Sequence, residues 1–509
     1  MAESRKNSFL KNAVVYGLGS LLLQASGIVL LPLYTRYLVP ADFGILEILE
    51  RTGSVLTILL MVNGVRGAAF SFFCQARDDA ERARIVATVS LVVWLGILVG
   101  LLAVLAAAQP LSRFLGIDDA RLTVLGLAAS IAQLLPMLPM AFMQARVQSV
   151  GYILASLMTM ISRVAIVVAA VAWGGWGVWG VLWGTLIASL VAGGVLTALE
   201  LRRWGFHPDR SKLMPVVRFA WPFMPGGLCG FVLFSGDRFF LLQYCGADEV
   251  GVYALGSRLA GIVGTVAFTP LFKVWSAWLY GVYRQPDGDR AVGRMITRLL
   301  TPYVFVGAGV CLFRREILLV FGTAEYAGAA LVIPPLIAAR FFITAQVLFD
   351  GAFYVYRRTG LKLGITIFAT AVILVLFYLL IPRYQALGAA LAAVGAFFAY
   401  AAATHLVSQS VFRVRYEYGR VAALLAGGVA VVLLAGQFDF GIMDIPAKAA
   451  LMAAWPAVLW ITGWVSKEEK SLVVDSLTRM LRRLRCLPAD GAGDNDAPAA
   501  KPAESRQRA

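Results

Sequence analysis

Apolar runs of about 20 residues recur along this chain from Ala13 to Val465, separated only by short polar gaps. A helix of that length spans a hydrocarbon core of roughly 30 Å. With so many runs in one sequence, there is too little polar surface left to cover a water-soluble globule. Hydrophobic residues make up 60% of the 509 and charged residues 15%, where soluble domains carry about 45–50% and about 25%. Five cysteines are too few for a disulfide framework, and the apolar fraction excludes collagen-like and disordered chains. The expected class is therefore an all-α integral membrane protein.

Reading apolar segments between charged punctuation predicts about fourteen transmembrane helices. They lie near 13–37, 43–63, 84–107, 121–145, 151–173, 177–199, 217–243, 250–275, 294–314, 327–349, 361–382, 387–411, 420–436 and 447–465. The first follows Arg5, Lys6 and Lys11 as a signal peptide would, but its apolar run is too long and no A-x-A site follows, so it is expected to stay as a span. If the N-terminus is cytoplasmic, the segments on that side hold 28 Lys and Arg as far as Arg485. The opposite loops hold seven: Arg36, Arg113, Arg121, Arg314, Arg315, Arg383 and Lys448. Positive charge stays on the cytoplasmic side, so both termini are expected there, in the inner membrane of a bacterium.

A repeat emerges when the chain is slid by 207 residues. Ala41-Asp42-Phe43-Gly44 then falls on Asp248-Glu249-Val250-Gly251, and Arg51 on Arg258. Identities are few, but the first predicted helix falls on the seventh and the second on the eighth. The expectation is two six-helix lobes, 13–199 and 217–411, with pseudo-two-fold symmetry and a cleft between them. An N-terminal tail (1–12), an inter-lobe linker (200–216) and two further helices (412–465) complete this division. In 466–509, Val473, Leu477, Met480, Leu481 and Leu484 alternate with arginines as a basic amphipathic helix, suited to anchoring on anionic lipid or docking a partner. The tail from Pro488 has the composition of a disordered segment.

The net charge of +16 is scattered between spans and forms no continuous groove, so nucleic acid is not an expected partner. His207 and His405 stand alone and no cysteines have metal spacing, so neither a metal nor a cofactor is expected. The informative residues are charges inside spans, where an arginine costs about 2.5–3.5 kcal/mol on insertion scales. Arg163 sits near the middle of the fifth helix, too deep to snorkel. Arg51 and Arg258 occupy equivalent repeat positions, Arg340 follows Pro334-Pro335, and Arg238 adjoins Asp237. The in-span acids are Glu47, Glu50, Asp237 and Asp350, and Glu47 stands four residues before Arg51, the spacing of a helical ion pair. Structural ion pairs are the competing reading, most of all for Arg238, Arg340 and Asp350. The excess of arginine over carboxylate points to an anionic substrate, because guanidinium forks match phosphate oxygens. In-span Pro136, Pro139, Pro222, Pro225, Gly226, Gly227 and Gly230 mark helix breaks or close packing.

The segment Leu31-Pro32-Leu33-Tyr34-Thr35-Arg36-Tyr37-Leu38-Val39-Pro40-Ala41-Asp42-Phe43-Gly44 resembles the passage between the first two helices of polysaccharide flippases. Asp237-Arg238-Phe239-Phe240-Leu241, followed by Gly246-Ala247-Asp248-Glu249-Val250-Gly251-Val252-Tyr253-Ala254, is similar to their passage between helices 7 and 8. These flippases belong to the multidrug/oligosaccharidyl-lipid/polysaccharide exporter superfamily. The resemblance implies a carrier that moves a lipid-linked oligosaccharide, usually on undecaprenyl pyrophosphate, from the cytoplasmic to the periplasmic leaflet. It implies alternating access around a cationic cavity, membrane lipids as surroundings, and polymerase or glycosyltransferases of the same pathway as possible partners. On that reading Arg163, Arg51, Arg258, Arg340 and Arg238 would contact substrate, and Glu47, Glu50 and Asp237 would serve in ion pairs or coupling. The rival expectations are a peptidoglycan-precursor flippase, a multidrug or cation antiporter, and a membrane glycosyltransferase or polymerase.

Overall fold

The computed structural model describes residues 27–283, 285–437, 444–461 and 464. Outside the described residues lie the 1–12 tail, the predicted first span up to residue 26, the end of the last span, and the basic amphipathic stretch with the tail beyond it. Residues through Lys448 form one compact unit, and those from Ala449 a second. The last described helix, Asp444–Ile461, extends into the second unit.

Nine described helices are long and apolar enough to cross a bilayer, and a bent pair makes a tenth. One of the nine, Thr359–Val411, contains Gln385 at φ 51°, ψ −130°, which divides its 53 residues into two spans. Two shorter apolar helices follow, within 418–437 and 444–461. The predicted spans from the second to the thirteenth each overlap helical segments, and the fourteenth is helical through its described part, to residue 461. Polar residues fix several starts: Asp78, Asp119 and Asp209 each accept a hydrogen bond from a backbone N–H of the first turn, satisfying donors that a helix leaves unpaired. On the third span, Leu95, Leu98, Val99, Leu102 and Leu105 are all exposed. Their spacing of three and four residues makes a stripe suited to lipid.

Three spans differ from the sequence expectation. The second does not end near residue 63: Pro40–Leu59 continues as Val62–Gln75 after a 50° bend, where Met61 takes the left-handed conformation at φ 56°. The eighth likewise continues, as Ala247–Val263, a π-helical turn Gly264–Phe268, and Thr269–Val282. The seventh is in three pieces, Arg210–Ala220, Phe223–Ser235 and Asp237–Cys245. Pro222 sits at its first break, where it offers no N–H to the helical ladder. By contrast, Pro334 and Pro335 lie inside the uninterrupted helix Ala329–Phe349.

The 207-residue repeat holds through the fold. Val62 and Thr269 both restart a broken span, Gln75 and Val282 both end it, and Trp204 and Val411 both end the sixth helix of their lobe. The two lobes meet along Pro40–Leu59 and Ala247–Val263. A Cβ on Gly44 would lie 1.9 Å from the Ala247 carbonyl oxygen, and one on Gly251 would lie 2.0 Å from that of Pro40. These contacts are mirror images under the repeat, and only glycine lets the backbones approach so closely. At the same end, the Thr35 hydroxyl donates to the Phe321 carbonyl at 2.6 Å and the Tyr326 hydroxyl to that of Leu38 at 3.1 Å.

Candidate functional site

The broken second span, the fourth and fifth spans and the sixth helix surround two adjoining cavities. One, of about 270 Å³, is lined by Arg66, Gln133, Met140, Tyr152, Thr159, Arg163 and Ser189 among others. The other, of about 240 Å³, is lined by Tyr34, Phe43, Glu50, Ser130, Gln133, Arg163, Thr185 and Arg258 among others. Gln133 and Arg163 belong to both, so the two cavities adjoin at these side chains along one path. At one end is the exposed Arg66, whose guanidinium donates to Gln144 Oε1 at 3.3 Å. At the other are Glu50 and Arg258, beside the Gly44 and Gly251 contact.

Arg163 enters no ion pair among the described residues, and its Nε is buried without a hydrogen-bond partner. A guanidinium in that position is costly unless water or an anion satisfies it. The other in-span arginines are mostly committed. Glu47, fully buried, meets Arg51 at 2.7 Å, Arg258 at 2.8 Å and Arg238 at 3.4 Å. Arg258 also reaches Glu50 at 3.0 Å and lies 5.1 Å from the Phe43 ring centroid. Since Arg258 stands on the eighth span and Glu47 and Glu50 on the second, these pairs cross between lobes.

Arg238 and Arg340 line neither cavity. Arg238 binds Asp237 at 2.7 Å and donates to the Ser257 hydroxyl at 2.9 Å, while Asp237 accepts from the Tyr253 hydroxyl at 2.5 Å. This buried cluster ties the seventh span to the eighth. Arg340 donates to the Ser257 carbonyl at 3.2 Å and lies beside Gly261. Asp350 pairs with Lys362 at 2.7 Å, apart from the cavities. Sequence reasoning thus found Arg163, Arg258 and Glu50 on the polar path but missed Tyr34, Arg66, Ser130 and Gln133. Gln133 stands 207 residues before Arg340, so the repeat could have singled it out. Among the described residues no three of His, Cys, Asp and Glu gather as a metal site would require.

Two pseudo-symmetric helical lobes with an arginine-bearing polar cavity define the class: a multi-pass membrane protein with a transporter fold. The structure of the lipid II flippase MurJ in an inward closed conformation matches with a TM-score of 0.71 over 88% of this chain and 99% of that one, at 10% identity. An inward-facing multidrug resistance MATE family transporter of the MOP superfamily matches at 0.57 over 77% and 95%, with 16% identity. An outward-facing one matches at 0.56 over 82% and 96%, with 15% identity. At these identities the likeness is one of fold. No curated protein sequence gives a significant match. A family model described as polysaccharide biosynthesis protein matches residues 9–276, more than half of the chain, and the chain belongs to that family.

Proposed function

We propose that this protein is a flippase that carries a lipid-linked oligosaccharide, with its anionic diphosphate head, from the cytoplasmic to the periplasmic leaflet of a bacterial inner membrane, making and breaking no bond. The observation that carries the reading is Arg163, a guanidinium without an acid partner among the described residues, on the wall of both cavities. The path is large enough for a diphosphate with part of its first sugars, while the polyprenyl tail would stay in lipid.

The positive-inside count assigns Arg66 to the cytoplasmic side and the Gly44 and Gly251 contact to the periplasmic side. On that assignment, the head group enters past Arg66, meets Arg163, and waits below a closed outer seam. Rocking of the lobes would then part the second and eighth spans. The broken helices supply the bends about which such rocking could occur. The lining favours an anion over a cation: among the described residues its one carboxylate, Glu50, is held by Arg258.

The test is export of surface glycan in a bacterium lacking its own glycan flippase. Expression of this protein should restore export, and Arg163→Ala should lower it about tenfold or more at equal membrane abundance. Rescue of a conditional MurJ mutant without restored glycan export would instead make the peptidoglycan precursor the cargo.

A further inference from the structure

Among the described residues that line the path, Glu50 is the one acid. Glu47, three residues earlier, is fully buried and already pairs with arginines on both lobes. The Glu50 side chain is 48% exposed, and an ion pair so open to water contributes little to holding two helices together. Nor does the repeat require it, because Ser257 stands in its place on the eighth span.

The surroundings of Glu50 are those of an anion site. Arg258 and Arg163 line the same cavity from opposite lobes. The buried Tyr34 hydroxyl lies there beside the Arg163 guanidinium, within electrostatic reach of Arg258 and Glu50. Two guanidinium groups and a phenol donor suit a diphosphate. In the empty protein, the Glu50 carboxylate takes one of these donors, at 3.0 Å from Arg258 Nη2.

We propose that Glu50 is an internal stand-in for the substrate's anionic head group, occupying Arg258 until a diphosphate displaces it. This deepens the flippase reading and rests on it. The exchange has two consequences. A neutral or cationic molecule cannot displace the carboxylate, so Glu50 screens cargo by charge. The exchange also removes one of two ion pairs that Arg258 makes across the lobes, so binding favours the arrangement in which the second and eighth spans part.

Titration of the purified full-length protein in nanodiscs with farnesyl diphosphate tests this, with farnesol as the uncharged control. Glu50→Gln should bind the diphosphate about tenfold more tightly, a gain of about 1.4 kcal/mol. Farnesol binding should not change, and the double variant with Arg258→Gln should lose the gain. Glu50→Ala supplies a second neutral variant. Unchanged or weaker diphosphate binding in both neutral variants overturns the stand-in role. Arg163→Gln separates the two layers: if it too binds as the unaltered protein does, the anion site of the flippase reading fails as well.

Discussion

Gly44→Ala should push the protein out of its present arrangement and toward one in which the second and eighth spans part at this end. The added methyl carbon would sit 1.9 Å from the Ala247 carbonyl oxygen, whereas carbon and oxygen in close contact stay about 3.3 Å apart. The obstacle is main chain and cannot swing aside as a side chain would. The helices must therefore separate by roughly 1.5 Å at this level, or the contact must be lost. Overpacking of this kind costs about 1–3 kcal/mol. The cost falls only on the closed seam, so it shifts the balance between closed and parted seams by roughly 5- to 150-fold. Spin labels at Val39 and Tyr244, both exposed near this end of the lobes, report the separation by pulsed electron resonance in nanodiscs. Gly44→Ala should move the distance distribution to longer values, and Gly251→Ala, whose methyl would meet the Pro40 carbonyl oxygen at 2.0 Å, should do the same. Gly194→Ala, where a Cβ meets nothing within 4 Å, should leave it unchanged. A wild-type distribution in both Gly44→Ala and Gly251→Ala would refute the close approach as the element that holds the seam.

Glu47→Gln should destabilise the protein by about 3–5 kcal/mol in chemical denaturation, because it leaves Arg238 and its neighbours without their shared buried acid. Arg163→Ala, which breaks no ion pair, should leave the midpoint unchanged or raised. Gln385→Gly should raise thermal stability by about 1 kcal/mol or more, since a non-glycine residue at φ 51°, ψ −130° bears strain that glycine does not. A lower melting temperature for that variant would show that the Gln385 side chain stabilises the kink more than its backbone strains it.

The spans were legible because a bilayer imposes length and apolarity on each one, and neither depends on distant contacts. The repeat was legible from register alone: the glycines it aligned are the pair that touch. The bend at Met61 was not: Asn63, Gly64 and Arg66 just beyond it read as the end of a span, whereas the helix restarts at Val62 and runs on to Gln75. The π-helical turn at Gly264–Phe268 was hidden because the apolar run passes through it. For the site, Arg163 stood out because depth alone makes an in-span charge conspicuous. The pairing of Glu47 with Arg51 followed from helical spacing, whereas its pairing with Arg258 joins residues 211 positions apart and depends on how the lobes meet. Tyr34 and Ser130 are neutral polar residues common in membrane helices, and only the shape of the cavity distinguishes them, whereas Gln133 could have been found from its register with Arg340.

Leaflet transfer of a fluorescent lipid-linked oligosaccharide in reconstituted vesicles, comparing the unaltered protein with Arg163→Ala, bears most directly on the claim that a free guanidinium receives the cargo. A hydrogen-bonded charge contributes about 1.5–3 kcal/mol, so transfer should fall about tenfold or more while helix content and reconstitution efficiency are retained. Transfer at the unaltered rate by a folded Arg163→Ala protein would contradict it.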